Sequence, residues 1–137
     1  MKTDLHLNFD GNCAEAFAFY EKTFNSKIVM SMKYSDAPAG TPASPDMGDK
    51  IMHTSLLVGG VLLMGADAPK GRFTAPAGFQ ISISISDEAE VKRIYAALSE
   101  GGSVQMPLMP TFWSPLFGMC TDKFGIGWMV TVPGPQM

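Results

Sequence analysis

Asp4–Phe24 reads DLHLNFDGNCAEAFAFYEKTF. Leu5, Leu7 and Phe9 alternate with His6, Asn8 and Asp10, the period of a strand with one buried face. Cys13, Ala16, Phe17, Tyr20 and Phe24 then recur at helical spacing, and Asn12 stands as the N-cap with Glu15 in the reciprocal position of a capping box. The same order returns at Gln80–Leu98, QISISISDEAEVKRIYAAL. Ile81, Ile83 and Ile85 alternate with Gln80, Ser82, Ser84 and Ser86, Asp87 and Glu90 form the cap pair, and Val91, Ile94, Tyr95 and Leu98 make the helix stripe. Ala14, Glu15 and Tyr20 match Ala89, Glu90 and Tyr95 at an offset of 75. Chance rarely aligns a cap, a helix face and a strand phase together, so the chain is read as an internal repeat.

Outward from each copy the elements continue alike. Lys27–Tyr34 is a second strand, and Ile51–Val58 and Val61–Ala66 form a hairpin about Gly59-Gly60. Between them Ser35–Lys50 holds three prolines and two glycines without periodicity, a candidate lid. In the second half Gly101-Gly102 ends the helix and Ser103–Met109 is a strand. Phe112–Val132, FWSPLFGMCTDKFGIGWMVTV, is a hairpin turning at Thr121–Gly125. The predicted fold is α+β: two βαβββ modules, residues 1 to about 68 and about 78 to 137, in a single domain with a curved mixed sheet forming a cup. The polar residues of both first strands then face the concave side.

The 137 residues are 46% apolar, enough for a core, and the net charge is −3. Ten scattered Lys and Arg argue against nucleic acid and anionic membranes. No apolar run approaches the roughly 20 residues of a membrane span, and no export leader is visible. Cys13 and Cys120 lack any metal or redox spacing and read as free thiols in a reducing cytoplasm. Eleven methionines supply soft side chains for a core or a ligand cavity.

Four blocks in order, LNFDGNCAEAFAFYEKTF, GDKIMHTSLLVGGVLLMGAD, LSEGGSVQMPL and FWSPLFGMCTDKFGIGWM, resemble the PhnB-like family of the glyoxalase, bleomycin-resistance and extradiol-dioxygenase (vicinal oxygen chelate) superfamily. The resemblance implies paired modules around a small-molecule site. Ser114 departs from it, standing where the family usually has glycine after Phe-Trp. Such proteins are often labelled demethylubiquinone methyltransferases, yet neither helix follows the glycine-rich turn that S-adenosylmethionine binding leads one to expect.

Metal-dependent members of the superfamily place one ligand on the first and last strand of each module. The corresponding positions here are His6 or Asp4, Leu63 or Met64, Gln80 and Met129. Two apolar side chains and an amide do not make a Zn, Ni, Fe or Mg site, so no metal and no cofactor is expected. A rearranged divalent site using His6 and His53, with Asp67 nearby, is the alternative. His6 and His53 are also the candidate catalytic residues, since only imidazole titrates near neutrality unperturbed. The candidate ligand contacts are Asn8, Asp67, Gln80, Ser82 and Ser84, with an apolar wall of Phe112, Trp113, Phe117 and Trp128.

The expected function is a metal-independent small-molecule-binding protein of unspecified ligand. Two alternatives stand beside it: a His-based or divalent-metal-dependent lyase, isomerase or oxygenase, and a dimeric accessory protein with a vestigial cleft. A homodimer is expected, because each module is too small to cover both sheet faces and superfamily members pair modules across chains.

Overall fold

A computed structural model describes residues 1–41 and 45–135. The chain divides into two compact units, Met1–Ala75 and Pro76–Met137. The first holds β1 (Leu5–Phe9), α1 (Cys13–Thr23), β2 (Ile28–Lys33), β3 (Ile51–Val58) and β4 (Val61–Asp67). The second holds β5 (Ile81–Ser84), α2 (Glu88–Ser99), β6 (Ser103–Met109), β7 (Leu116–Thr121) and β8 (Gly127–Val132). Each unit has the expected βαβββ order of the α+β fold and its own four-stranded mixed sheet, ordered β1-β4-β3-β2 and β5-β8-β7-β6. In each, the first and last strands of the unit pair in parallel and the other neighbours are antiparallel, so the repeat read from the sequence extends to strand order.

In the first unit Cys13, Ala16, Phe17 and Tyr20 of α1 are all buried, the stripe that the spacing dictates. They lie on the sheet face carrying Leu7, Phe9, Leu56 and Leu63. Gly65 allows this close approach: a Cβ there would run into the Phe17 ring. In the second unit Val91, Ile94, Tyr95 and Leu98 face the sheet, and a Cβ at Gly118 would press on Tyr95 and Leu108. Each buried aliphatic or aromatic side chain of these layers contributes about 1.5–3 kcal/mol.

The helix starts differ from the sequence reading. Asp87 caps α2 by accepting from the Ala89 amide at 3.0 Å, but Glu90 pairs with Arg93 instead of reaching back. Asn12 makes no side-chain cap bond on α1. The acceptor comes from across the sheet: Asp67, at the end of β4, takes the Cys13 amide on Oδ1 and the Ile51 amide on Oδ2, each at 2.9 Å. One buried carboxylate thus joins the start of α1 to the start of β3.

The candidate lid Ser35–Lys50 includes residues 42–44, which lie outside the described residues. Its ends are tied together, Tyr34 N–H donating to the Lys50 carbonyl and Ser35 N–H to the Gly48 carbonyl, both at 3.0 Å. Met47 is buried between them in sequence, within a short 3-10 turn.

Candidate functional site

The helix takes one face of each sheet, and the functional side chains expected from the sequence sit mainly on the other. On β1, alternation leaves His6 and Asn8 exposed while Leu7 and Phe9 are buried. The parallel register sets His6 beside Met64 and Asn8 beside Ala66. On β3, Thr54 pairs with Gly65 on the helix side, so His53 and Ser55 point the other way, with Ser55 beside Met64 and Met32 of β2 beside His53. The two imidazoles converge: their ring centroids are 6.5 Å apart with planes inclined by 28°.

Partial burial and, secondarily, the neighbouring His53 hold the His6 pKa below its ordinary value. Both causes favour the neutral form of the imidazole. The helix-free face of the first sheet is thus a histidine pair set among thioethers.

Of the positions open for metal ligation, Asp4 is committed to the fold, accepting the Leu62 amide at 3.1 Å and pairing with Lys2 at 3.3 Å. Leu63 faces the helix at 2% exposure, so Met64 is the β4 residue that shares a face with His6. The first unit thus offers one imidazole and one thioether at these positions, and the second, by itself, one amide and one thioether. Among the described residues no three His, Cys, Asp or Glu side chains gather as a metal site. Neither pair by itself supplies the three or more nitrogen, carboxylate or thiolate ligands that a hard divalent ion calls for.

In the second unit the parallel register places Ser82 beside Met129 and Ser84 beside Thr131, both serines exposed. Gln80 lies on the same side, its Cγ 3.3 Å from where a Gly127 Cβ would stand. Phe117 is on this side of the sheet, being paired with Thr131, but is itself buried at 3% exposure, and Trp113 meets it edge-on at 5.4 Å. Phe112 stacks edge-on against Trp113 at 4.8 Å and is itself 97% exposed. The hairpin strands begin only at Leu116, so Phe112 and Trp113 belong to the connection before β7.

Two expected ligand contacts are corrected. Asp67 is 1% exposed, on the helix side, with both oxygens occupied by backbone amides. Trp128 is fully buried on the α2 side and donates its Nε1–H to Asp122 Oδ2 at 2.9 Å. Neither can reach a ligand without opening the core. Ser114 likewise turns inward: its hydroxyl lies 2.6 Å from the Val132 carbonyl and 2.9 Å from both the Leu116 carbonyl and Thr131 Oγ1. The Ser114 hydroxyl is thus committed to bracing these strands.

Sequence reasoning missed a cavity of about 350 Å³ at the start of α1, lined by Asp10, Gly11, Asn12, Asp46, Met47, Lys50, Ala68 and Lys70. Its cations are already engaged, Lys50 with the Gly11 carbonyl at 3.1 Å and Lys70 with Asp46 at 3.2 Å. No periodic signal brings these loop residues together; only the chain path does. The cysteines carry no visible chemistry: both are buried, and burial raises both thiols, Cys120 to about 11. Among the described residues no helix is long and apolar enough to cross a membrane.

A family model described as 3-demethylubiquinone-9 3-methyltransferase matches residues 1–131. Protein YjdN of Escherichia coli K12 is 29% identical over 141 residues, spanning 96% of this chain and 95% of that protein. Among solved structures, protein PA1353 of Pseudomonas aeruginosa is 42% identical with a TM-score of 0.89, over 97% of this chain and 98% of that one. The PhnB protein of Bacillus cereus is 26% identical with a TM-score of 0.81, over 96% and 99% of the two chains.

Proposed function

This chain belongs to the PhnB-like family, whose model is described as 3-demethylubiquinone-9 3-methyltransferase, and we propose that it is a small-molecule-binding protein of the vicinal oxygen chelate scaffold that works without a divalent metal. The observation that carries this reading is the distribution of side chains on the helix-free faces. His6, Asn8 and His53 on the first sheet, and Gln80, Ser82 and Ser84 on the second, are a few polar groups on surfaces otherwise lined by methionines and Trp113, with Phe117 buried beside Trp113. That mixture is the usual composition of small-molecule sites.

Methyl transfer is not part of the proposal. The turn after β1 is Asp10-Gly11-Asn12 and that after β5 is Ile85-Ser86-Asp87, and each sheet has a single parallel pair. A dinucleotide-like fold for S-adenosylmethionine needs a glycine-rich turn at the mouth of a parallel sheet.

The test is a thermal-shift screen with planar aromatic carboxylic acids, since a ligand of the folded state raises the midpoint by mass action. Trp113→Ala is expected to weaken any such ligand by about 1–3 kcal/mol, the loss of one stacked ring surface. Unchanged affinity with intact circular dichroism places the site elsewhere. A second reading, an enzyme with His6 as general base, is favoured by that residue's neutral imidazole. Under it His6→Ala abolishes turnover while leaving affinity within a few fold.

The proposal includes a homodimer in a reducing cytoplasm. Val29, Leu57, Val61 and Val104 are each at least 45% exposed, apolar surface that a second copy would cover, and both cysteines are free thiols. Sedimentation at micromolar concentration is expected to give a dimer burying about 1,000 Å² or more. A monomer throughout that range rejects it.

A further inference from the structure

The cavity of about 350 Å³ at the start of α1 is left unused by the reading of the helix-free faces. Topology places it. β1 and β4 run parallel and β3 runs against them, so the turn after β1, Ala68 after β4 and Lys50 before β3 come together beyond one end of the first sheet. The carboxyl ends of parallel strands are also where open α/β sheets take their ligands, and the volume lies within the usual range for small molecules.

The charges around the cavity fall into two sets. Lys70 and Asp46 offset each other at 3.2 Å on the exposed rim. Lys50 and Asp10 are left over. Among the described residues the ion pairs are Lys2–Asp4, Lys70–Asp46, Lys92–Glu88 and Arg93–Glu90, and neither Lys50 nor Asp10 belongs to one. Half-buried Lys50 donates to the Gly11 carbonyl at 3.1 Å, which fixes its ammonium in the wall but leaves its charge unmatched and further N–H donors open. Asn12 lines the same space and makes no cap bond with its side chain. Buried Met47 and half-buried Ala68 give the lining an apolar part. The helix end itself is not the anchor, because the Cys13 amide is already held by Asp67 at 2.9 Å.

We infer that this cavity binds a small zwitterion, an α-amino acid with an aliphatic side chain. Lys50 and Asn12 hold the carboxylate, Asp10 faces the ammonium, and the side chain lies on Met47 and Ala68. One unmatched cation and one unmatched anion on a single cavity select a ligand that carries both charges. A simple carboxylate meets like charge at Asp10, and a simple amine meets it at Lys50.

The site is separate from the helix-free faces, so its failure leaves the reading of those faces untouched. It is tested with the whole chain labelled at methionine methyls and titrated with L-valine, with isovalerate, which lacks the amine, and with isobutylamine, which lacks the carboxylate. The expected result is a saturable Met47 shift with L-valine at millimolar concentration, with Met32, Met64, Met119 and Met129 unmoved. Isovalerate and isobutylamine should each bind about tenfold more weakly. Lys50→Met should weaken L-valine and isovalerate alike, by about tenfold, the loss of a hydrogen bond to a charged group. Asp10→Asn, at an exposed position that leaves the fold intact by circular dichroism, should weaken L-valine about threefold and bring it level with isovalerate. Met47 unmoved by L-valine, either control binding as tightly as L-valine, or the preference over isovalerate unchanged in Asp10→Asn each overturns it.

Discussion

Asp122→Ala is expected to destabilise the protein by about 3–5 kcal/mol, the largest effect of any single polar substitution in the second unit. Asp122 is 3% exposed and closes the β7–β8 turn. Its Oδ1 accepts the amides of Phe124 at 2.9 Å and Ile126 at 3.0 Å, and its Oδ2 accepts Trp128 Nε1–H at 2.9 Å. Alanine strands two buried donors, and hydrogen bonds to a charged acceptor contribute about 1.5–3 kcal/mol each. The indole is fully buried against α2, so it cannot rotate outward to find water. Urea unfolding of Asp122→Ala beside Trp128→Phe should show strong coupling, since each removes the same bond. A loss under 1 kcal/mol contradicts this account of the turn.

Asp67→Ala is expected to cost about 3–4 kcal/mol, and Asn12→Ala less than about 0.5 kcal/mol. The comparison is the informative part. Asn12 occupies the N-cap position but its side chain makes no cap bond, while Asp67 supplies the acceptor for Cys13 at the positive end of α1 and also holds Ile51. The Tyr34 hydroxyl adds a 2.8 Å bond to the Asp67 carbonyl, which the substitution leaves in place. Chemical denaturation of both variants decides it: an Asn12→Ala loss equal to that of Asp67→Ala would return the capping role to the local residue.

These two carboxylates mark the boundary of what the sequence discloses. Period-two and helical stripes depend on neighbours along the chain, and they located β1, α1, β5 and α2 and the faces each buries. The offset of 75 residues between the copies carried the strand order of one unit to the other. A carboxylate that caps a helix 54 residues away has no such local signature; Asp67 ends an apolar strand and looks like a surface acid until the register is known. Trp128 reads as a wall from the sequence for the same reason, since an aromatic on a half-buried strand is assigned to a face only once its partner Ile81 places it under α2. His6 and His53 are legible in the sequence as its two imidazoles, but their neighbours Met64 and Met32 follow from register alone. Ser114 stands out in the sequence only as a departure from the resemblance; that its hydroxyl braces β8 depends on the return of Thr131 and Val132 beside it.

The central claim is that ligands meet this protein on the helix-free faces of its sheets. Methionine methyl spectroscopy tests it most directly, because the methionines report on each surface separately. Met32 and Met64 stand on the histidine face, Met119 and Met129 on the serine face, and Met47 in the cavity at the start of α1. With protein labelled at methionine methyls and titrated with an aromatic acid that raises the unfolding midpoint, the account predicts saturable shifts at Met64 and Met32, at Met129 and Met119, or at both pairs, with Met47 unmoved. Shifts confined to Met47, with the other four unchanged at saturation, would contradict it.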